Sequence, residues 1–253
     1  MADEVLYESD GGIAVITLNR PDKRNALNAA MREGLWSAWR RFESEPDQRV
    51  AILTGAGPAF CAGIDLVEFA DTRLGAPPPN FLPVPGENIT VTKPTIAAVN
   101  GSAVAGGWRL VQMCDLCVAS DAARFAITEA RVGRGMPWAA PLVHMLPTRI
   151  LLELLMTGEP ISAQRAYELG FVNHVVVAAD VMARARALAQ SIIAGAPLVV
   201  KAARDMVSAV IGLPMQEGVR RAEQIFAPVY DSHDAIEGPL AFREKRSPRW
   251  SGR

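Results

Sequence analysis

Two ionisable residues set the chemical question in this 253-residue sequence. Glu129 follows Phe125-Ala126-Ile127-Thr128, and Arg109 stands twenty residues before it. A carboxylate held beside a carbon acid can take up a proton and return it. A guanidinium cannot, because it stays protonated at any usable pH; it donates hydrogen bonds or clamps a carboxylate. If the two side chains meet, the cation lowers the carboxyl pKa by about 1–3 units and makes Glu129 a poorer acid.

Other constellations point to less. Cys114-Asp115-Leu116-Cys117 has C-x-x-C spacing, but His144, His174 and His233 stand singly and no second ligand pair exists. The pair reads as small apolar residues where a helix passes into a buried strand, and no metal is expected. The stretch Gly101 to Gly107 is glycine-rich, yet it is neither G-x-G-x-x-G nor a P-loop. No G-x-S-x-G elbow is present.

The segments around Glu129 carry a stronger signal. Lys93-Pro94-Thr95-Ile96-Ala97-Ala98-Val99-Asn100-Gly101 leads to Ala105-Gly106-Gly107-Trp108-Arg109-Leu110, then to Cys114-Asp115, then to Thr128-Glu129-Ala130. This resembles the active-site half of the crotonase family, the enoyl-CoA hydratases and isomerases. Asn19-Arg20-Pro21 through Asn28, Leu53-Thr54-Gly55 through Leu66, Leu155–Ala163 and Glu237–Arg246 resemble further family segments. They come in the family's order and at its spacings, over nearly the whole chain.

The resemblance implies an α/β fold, the ClpP/crotonase-like spiral of ββα units. It places that core at residues 1–195 and a helical trimerisation region at 196–253. It implies an oxyanion hole made by the backbone N–H groups of Ala62 and Gly106, which would gather the charge of a thioester enolate. In the family's hydratases two glutamates face the substrate. The second matches Glu129; the first matches Arg109. After Gly133, Met136-Pro137-Trp138-Ala139-Ala140-Pro141 replaces a glycine-rich segment that lines the water pocket. Three readings of Arg109 stay open: an ion pair with Glu129, a bystander in a one-base enzyme, or an anchor for a substrate carboxylate.

By the same resemblance coenzyme A lies along Lys23, Arg24, Ala26 and Leu27, and along Ala62, Gly63, Ile64, Asp65 and Leu66. Gly107, Pro137 and Trp138 complete the acyl end, and Phe226 and Lys245 reach the nucleotide from a neighbouring subunit. The expected function is an enoyl-CoA hydratase/isomerase with Glu129 as single acid/base. A Δ3,Δ2-enoyl-CoA isomerase and a non-catalytic acyl-CoA-binding protein are the alternatives. No cofactor is expected beyond the coenzyme A of the substrate, and the expected partner is a homotrimer or dimer of trimers.

The elements that must position these residues follow from periodicity. Residues 12–18, 50–54, 95–99, 116–119 and 172–177 read as strands. Asn28 caps a helix to about Glu43, whose apolar face is Leu35, Trp36, Trp39 and Phe42. A short helix is expected over 64–70 and a mobile loop over 72–88, which holds five prolines. From Pro137 the pattern is mostly helical. Half the residues are hydrophobic, and the formal net charge is −1. That balance argues for a globular enzyme and against capture of nucleic acid or a membrane surface. The acidic start lacks the pattern of a signal peptide, so a cytoplasmic protein is expected.

Overall fold

Two strands followed by a helix recur along the first half of the chain. β1 (Val5–Asp10) and β2 (Ile13–Leu18) lead to α1 (Ala29–Ser44), and β3 (Val50–Gly55) and β4 (Ala59–Cys61) lead to α2 (Leu66–Thr72). β5 (Thr95–Val99) and β6 (Ser102–Val104) lead to α3 (Gly106–Gln112). After β7 (Leu116–Ser120) and β8 (Arg124–Ala126) a 3-10 turn, Glu129–Val132, takes the helix's place. The chain continues through α4 (Thr148–Thr157), β9 (Ile161–Ser162), α5 (Ala163–Glu168), β10 (His174–Val176) and α6 (Val181–Ile193). It ends with α7 (Pro197–Val210), α8 (Met215–Tyr230) and α9 (His233–Glu244). This computed structural model describes residues 3–72 and 75–253.

The strands form two sheets, ordered β1-β2-β3-β5-β7-β10 and β4-β6-β8-β9. From β3 onward each repeat gives its first strand to the large sheet and its second to the small one. β3, β5 and β7 are parallel neighbours and almost wholly buried. Their unbroken runs of Val, Ile, Leu and Ala are what a strand covered on both faces requires. β1 pairs antiparallel with β2 at the edge and is mostly exposed. The sequence pattern does not mark β1, because no apolar run identifies it. The strands of the small sheet escape notice for another reason: β4, β6 and β8 have three residues each.

α1 starts as expected, with the Asn28 side chain accepting from the Met31 N–H at 2.9 Å. Its buried face is Met31, Leu35, Ala38, Trp39 and Phe42. Trp36 is only half-buried, and its indole donates to the Asn80 carbonyl at 3.3 Å. The expected mobile loop is tied down over its second half; Arg73 and Leu74 lie outside the described residues. Asn88 accepts from the Val84 N–H at 2.7 Å and donates to the Pro79 and Leu82 carbonyls. Leu82, Val84 and Val91 are buried. Prolines fix φ and so lower the entropy cost of ordering such a segment.

Gly101 joins β5 to β6 where the chain crosses between sheets. A Cβ there would lie 2.1 Å from the Pro58 carbonyl oxygen, which is backbone and cannot yield cheaply. Gly101→Ala should therefore cost roughly 1–3 kcal/mol, the usual range for overpacking. Urea unfolding checks this, and an unchanged midpoint would contradict it.

The chain divides into two compact units, Met1–Ala189 and Gln190–Arg253. Within the C-terminal unit the Trp250 indole donates to the Ala194 carbonyl at 2.7 Å. In that unit Asp234 accepts from the Ser251 and Gly252 N–H groups, and Glu237 from Arg246 and the Arg249 N–H. These bonds fold the tail back along α9. Val207, Met215, Val219 and Phe242 leave much of their apolar surface exposed. No helix among the described residues is long and apolar enough to cross a membrane.

Candidate active site

β4, β6 and β8 run parallel as neighbours, with Ala103 opposite Phe125 and Val104 opposite Ala126. Their carboxyl ends therefore share one edge of the small sheet. Three segments leave that edge: one through Ile64, one through Gly106 and one through Glu129. The crevice beyond the carboxyl ends of parallel strands is where α/β proteins most often bind ligands.

The first segment corrects an expectation. The Ala62 N–H donates to the Arg24 carbonyl at 2.9 Å, so it is not free to hold a ligand oxygen. The Leu27 N–H donates to the Gly63 carbonyl, and the Asp65 N–H donates to the Leu27 carbonyl. This leaves the Ile64 N–H pointing away from Leu27, as alternate amides do in a parallel pairing. Among the described residues it has no acceptor. Gly106 is the first residue of α3, and its N–H has none either. A Cβ built on Gly106 would lie 3.6 Å from the Ile64 nitrogen, so the two residues are close neighbours. Ala105 before it takes φ 51 and ψ −116, a region few non-glycine residues enter. That turn sets the direction of the Gly106 N–H. Gly63 has φ 90, and a side chain there would meet the Val104 carbonyl at 2.9 Å. The pair of open donors is thus Ile64 and Gly106.

Glu129 is 8% exposed. Its Oε1 accepts from the Trp138 indole at 3.0 Å, while its buried Oε2 has no partner. Burial raises its pKa above the ordinary carboxyl value. Its own amide, the indole and the Thr128 amide offset part of that rise. No cation contributes. Of the three readings of Arg109, the ion pair with Glu129, with the lowered pKa it would bring, is not formed. Arg109 Nη2 instead donates to both carboxylate oxygens of Glu87 at 3.2 and 3.1 Å. The guanidinium reaches the proline-rich loop rather than the end of β8.

Trp138, expected along the substrate, thus holds Glu129. Because its indole favours the charged carboxyl, Trp138→Phe should raise the pKa further. The acidic limb of the kcat/KM profile should move to higher pH with its plateau retained. A lowered plateau with an unmoved limb would mean that the indole serves only packing.

The two segments expected along coenzyme A lie side by side, stitched by the three bonds linking Arg24 and Leu27 to residues 62–65. Lys23, Arg24 and Leu66 are exposed, Ala26 is half-buried and Leu27 is buried. Asp65 bonds the Arg20 guanidinium at 2.6 Å, which holds its carboxyl below the usual range. Arg20 also donates to the Ala26 carbonyl. Asn25 is buried with φ 54 and donates to the Ala56, Ala59 and Phe60 carbonyls. The sequence reading assigns Arg20 and Asn25 no role, although asparagine's tolerance of the left-handed region was a usable sign. At Gly107 a Cβ would lie 2.3 Å from the Cys61 carbonyl oxygen, so the missing side chain serves packing there. Pro137 is exposed at the start of the 3-10 segment Pro137–His144. Phe226 is half-buried on α8, and Lys245 is exposed in the left-handed turn that ends α9. Burial raises the Cys117 thiol well above its usual pKa.

Comparison with known proteins shows the family. The sequence profile of the enoyl-CoA hydratase/isomerase family matches residues 8–253. Enoyl-CoA hydratase EchA19 of Mycobacterium tuberculosis is 38% identical over 264 residues, covering 99% of this chain and 97% of that protein. Carnitinyl-CoA dehydratase of Proteus mirabilis is also 38% identical, over 265 residues and 100% of both chains. The crystal structure of enoyl-CoA hydratase EchA1 from Mycobacterium marinum superposes with a TM-score of 0.91 at 37% identity, covering 99% of this chain and 100% of that one. The α/β fold with parallel strands and C-terminal helices is the one these enzymes share. By that match over residues 8–253 and these identities, the chain is an enzyme of the enoyl-CoA hydratase/isomerase family.

Proposed function

We propose that this enzyme binds an acyl-CoA thioester and moves a proton at its α-carbon, with Glu129 as the single acid/base. One observation carries the reading: a buried, unpartnered carboxylate oxygen on Glu129 and two open N–H groups leave the same edge of the small sheet. The names of the relatives support a CoA thioester as substrate class.

The Ile64 and Gly106 N–H groups receive the thioester oxygen. As Glu129 removes the α-proton, electrons move from the C–H bond into the α-carbon–carbonyl bond, and charge gathers on that oxygen. Fixed donors there stabilise the enolate without reorganising. A carboxyl with a raised pKa is the stronger base for this step. For a 3-enoyl thioester the protonated Glu129 then returns the proton to the γ-carbon, and the double bond moves from C3–C4 to C2–C3. Nothing is gained or lost, so one carboxyl suffices and no further cofactor enters.

Hydration needs a second group to take a proton from water. We propose that Arg109 stands where the hydratases carry their first glutamate, and that isomerisation outruns hydration for this reason. Coenzyme A would lie along residues 23–27 and 62–66, with Pro137 and Trp138 near the acyl end. The exposed apolar residues of α7 to α9 support a homotrimer or dimer of trimers, in which Phe226 and Lys245 reach a neighbour's nucleotide. The test compares trans-3-hexenoyl-CoA with crotonyl-CoA. Faster isomerisation of the first than hydration of the second supports the reading. Efficient hydration that does not improve in Arg109→Glu would overturn it, and silence on both would point to a binding protein.

A further inference from the structure

The proposed reaction gives Arg109 no task, yet the fold places it deliberately. On α3 the core-facing residues are Trp108, Leu110 and Val111. Arg109 lies on the other side, three residues after Gly106 and three before Gln112, and residues so spaced share a face. Gly106 presents an open N–H. Gln112 donates to the Trp138 carbonyl at 2.8 Å, and Trp138 holds Glu129. Arg109 thus sits between the oxyanion donor and the segment that positions the base.

What the guanidinium grips is informative. Its side chain is 19% exposed, and it holds a carboxylate, that of Glu87, whose side chain is 60% exposed. This pair does not order the loop. Asn88 and the buried Leu82, Val84 and Val91 do that without Glu87. Glu87 can swing into solvent while its neighbours stay anchored. Arg109 is then left as a sheltered cation open to another carboxylate, and arginine binds that group with charge-assisted bonds.

Building on the acyl-CoA reading above, we propose that Arg109 binds a carboxylate at the distal end of the acyl group, with Glu87 as its occupant in the free enzyme. The substrate class is then the CoA monothioester of a dicarboxylic acid. Substrate entry exchanges one carboxylate for another on the same guanidinium, so the sheltered cation is paired both before and after binding.

Calorimetric titration with glutaryl-CoA and pentanoyl-CoA tests this. The two match in chain length and differ in the distal carboxylate, and neither carries the double bond of the reaction. Wild-type protein should bind glutaryl-CoA more tightly, on the order of tenfold. Glu87→Gln, at an exposed position, removes the internal competitor and should widen that ratio. Arg109→Gln should bring it to about one. Equal affinity in wild type, a ratio that Glu87→Gln leaves unchanged, or equal weakening of both ligands in Arg109→Gln would each overturn the inference. In the last case the guanidinium would be serving the shared coenzyme. Failure to bind either thioester would instead overturn the acyl-CoA reading, so the two failures are distinct.

Discussion

Replacing Glu129 by glutamine should abolish proton exchange at the substrate α-carbon and leave thioester binding nearly intact. Positioned acid/base groups contribute about 10²–10⁴-fold, and with no second carboxyl at position 109 the loss should reach at least that. The variant keeps an acceptor for the Trp138 indole, so its fold should hold. Its stability should change with pH in a direction set by burial. Burial raises the folded-state pKa of Glu129, so the wild-type site is fully stable only below the unfolded pKa. That contribution is lost as pH rises through the raised value. Glu129→Gln should therefore melt higher than wild type at neutral pH, and the difference should close in acid. A variant that exchanges at the wild-type rate, or melts lower at neutral pH, would contradict this account of the carboxyl.

The second large effect concerns the oxyanion donors. Gly106→Pro removes one N–H at the first position of α3, where proline's φ is compatible with a helix. Losing such a donor typically costs about 2.7–4 kcal/mol of transition-state stabilisation, or roughly 10²–10³ in kcat. Ala105, with ψ −116, must shift to precede a proline, so circular dichroism should confirm the fold. The parallel change Ala62→Pro separates the assignments. It removes the bond to the Arg24 carbonyl and should lower stability first. A kcat loss as large as that of Gly106→Pro in a fully stable Ala62→Pro protein would return the donor role to Ala62.

The sequence carried the parallel strands of the large sheet, because buried strands read as unbroken apolar runs. It carried the start of α1, because Asn28 caps it through its own side chain. The small sheet was not legible. Its strands are too short for any period to show, and the glycines beside them mark where backbones approach closely. Gly101 and Gly107 show this, with no room for a methyl. Within the site, Gly106 and Glu129 were readable from the resemblance. The choice between Ala62 and Ile64 was not. It depends on which amides the pairing with residues 24–27 consumes, a long-range fact. The partner of Arg109 was hidden for the same reason: Glu87 lies in a proline-rich segment with no pattern pointing to α3. The raised pKa of Glu129 follows from burial, which is not local.

The most direct test of a single-base site follows trans-3-hexenoyl-CoA in deuterated water with wild-type protein, using NMR to locate each deuteron. We expect the 2-enoyl product with deuterium appearing at the α- and γ-carbons and little 3-hydroxyacyl-CoA. Rapid accumulation of the 3-hydroxyacyl thioester, at a rate matching isomerisation, would show a second group activating water and contradict the account.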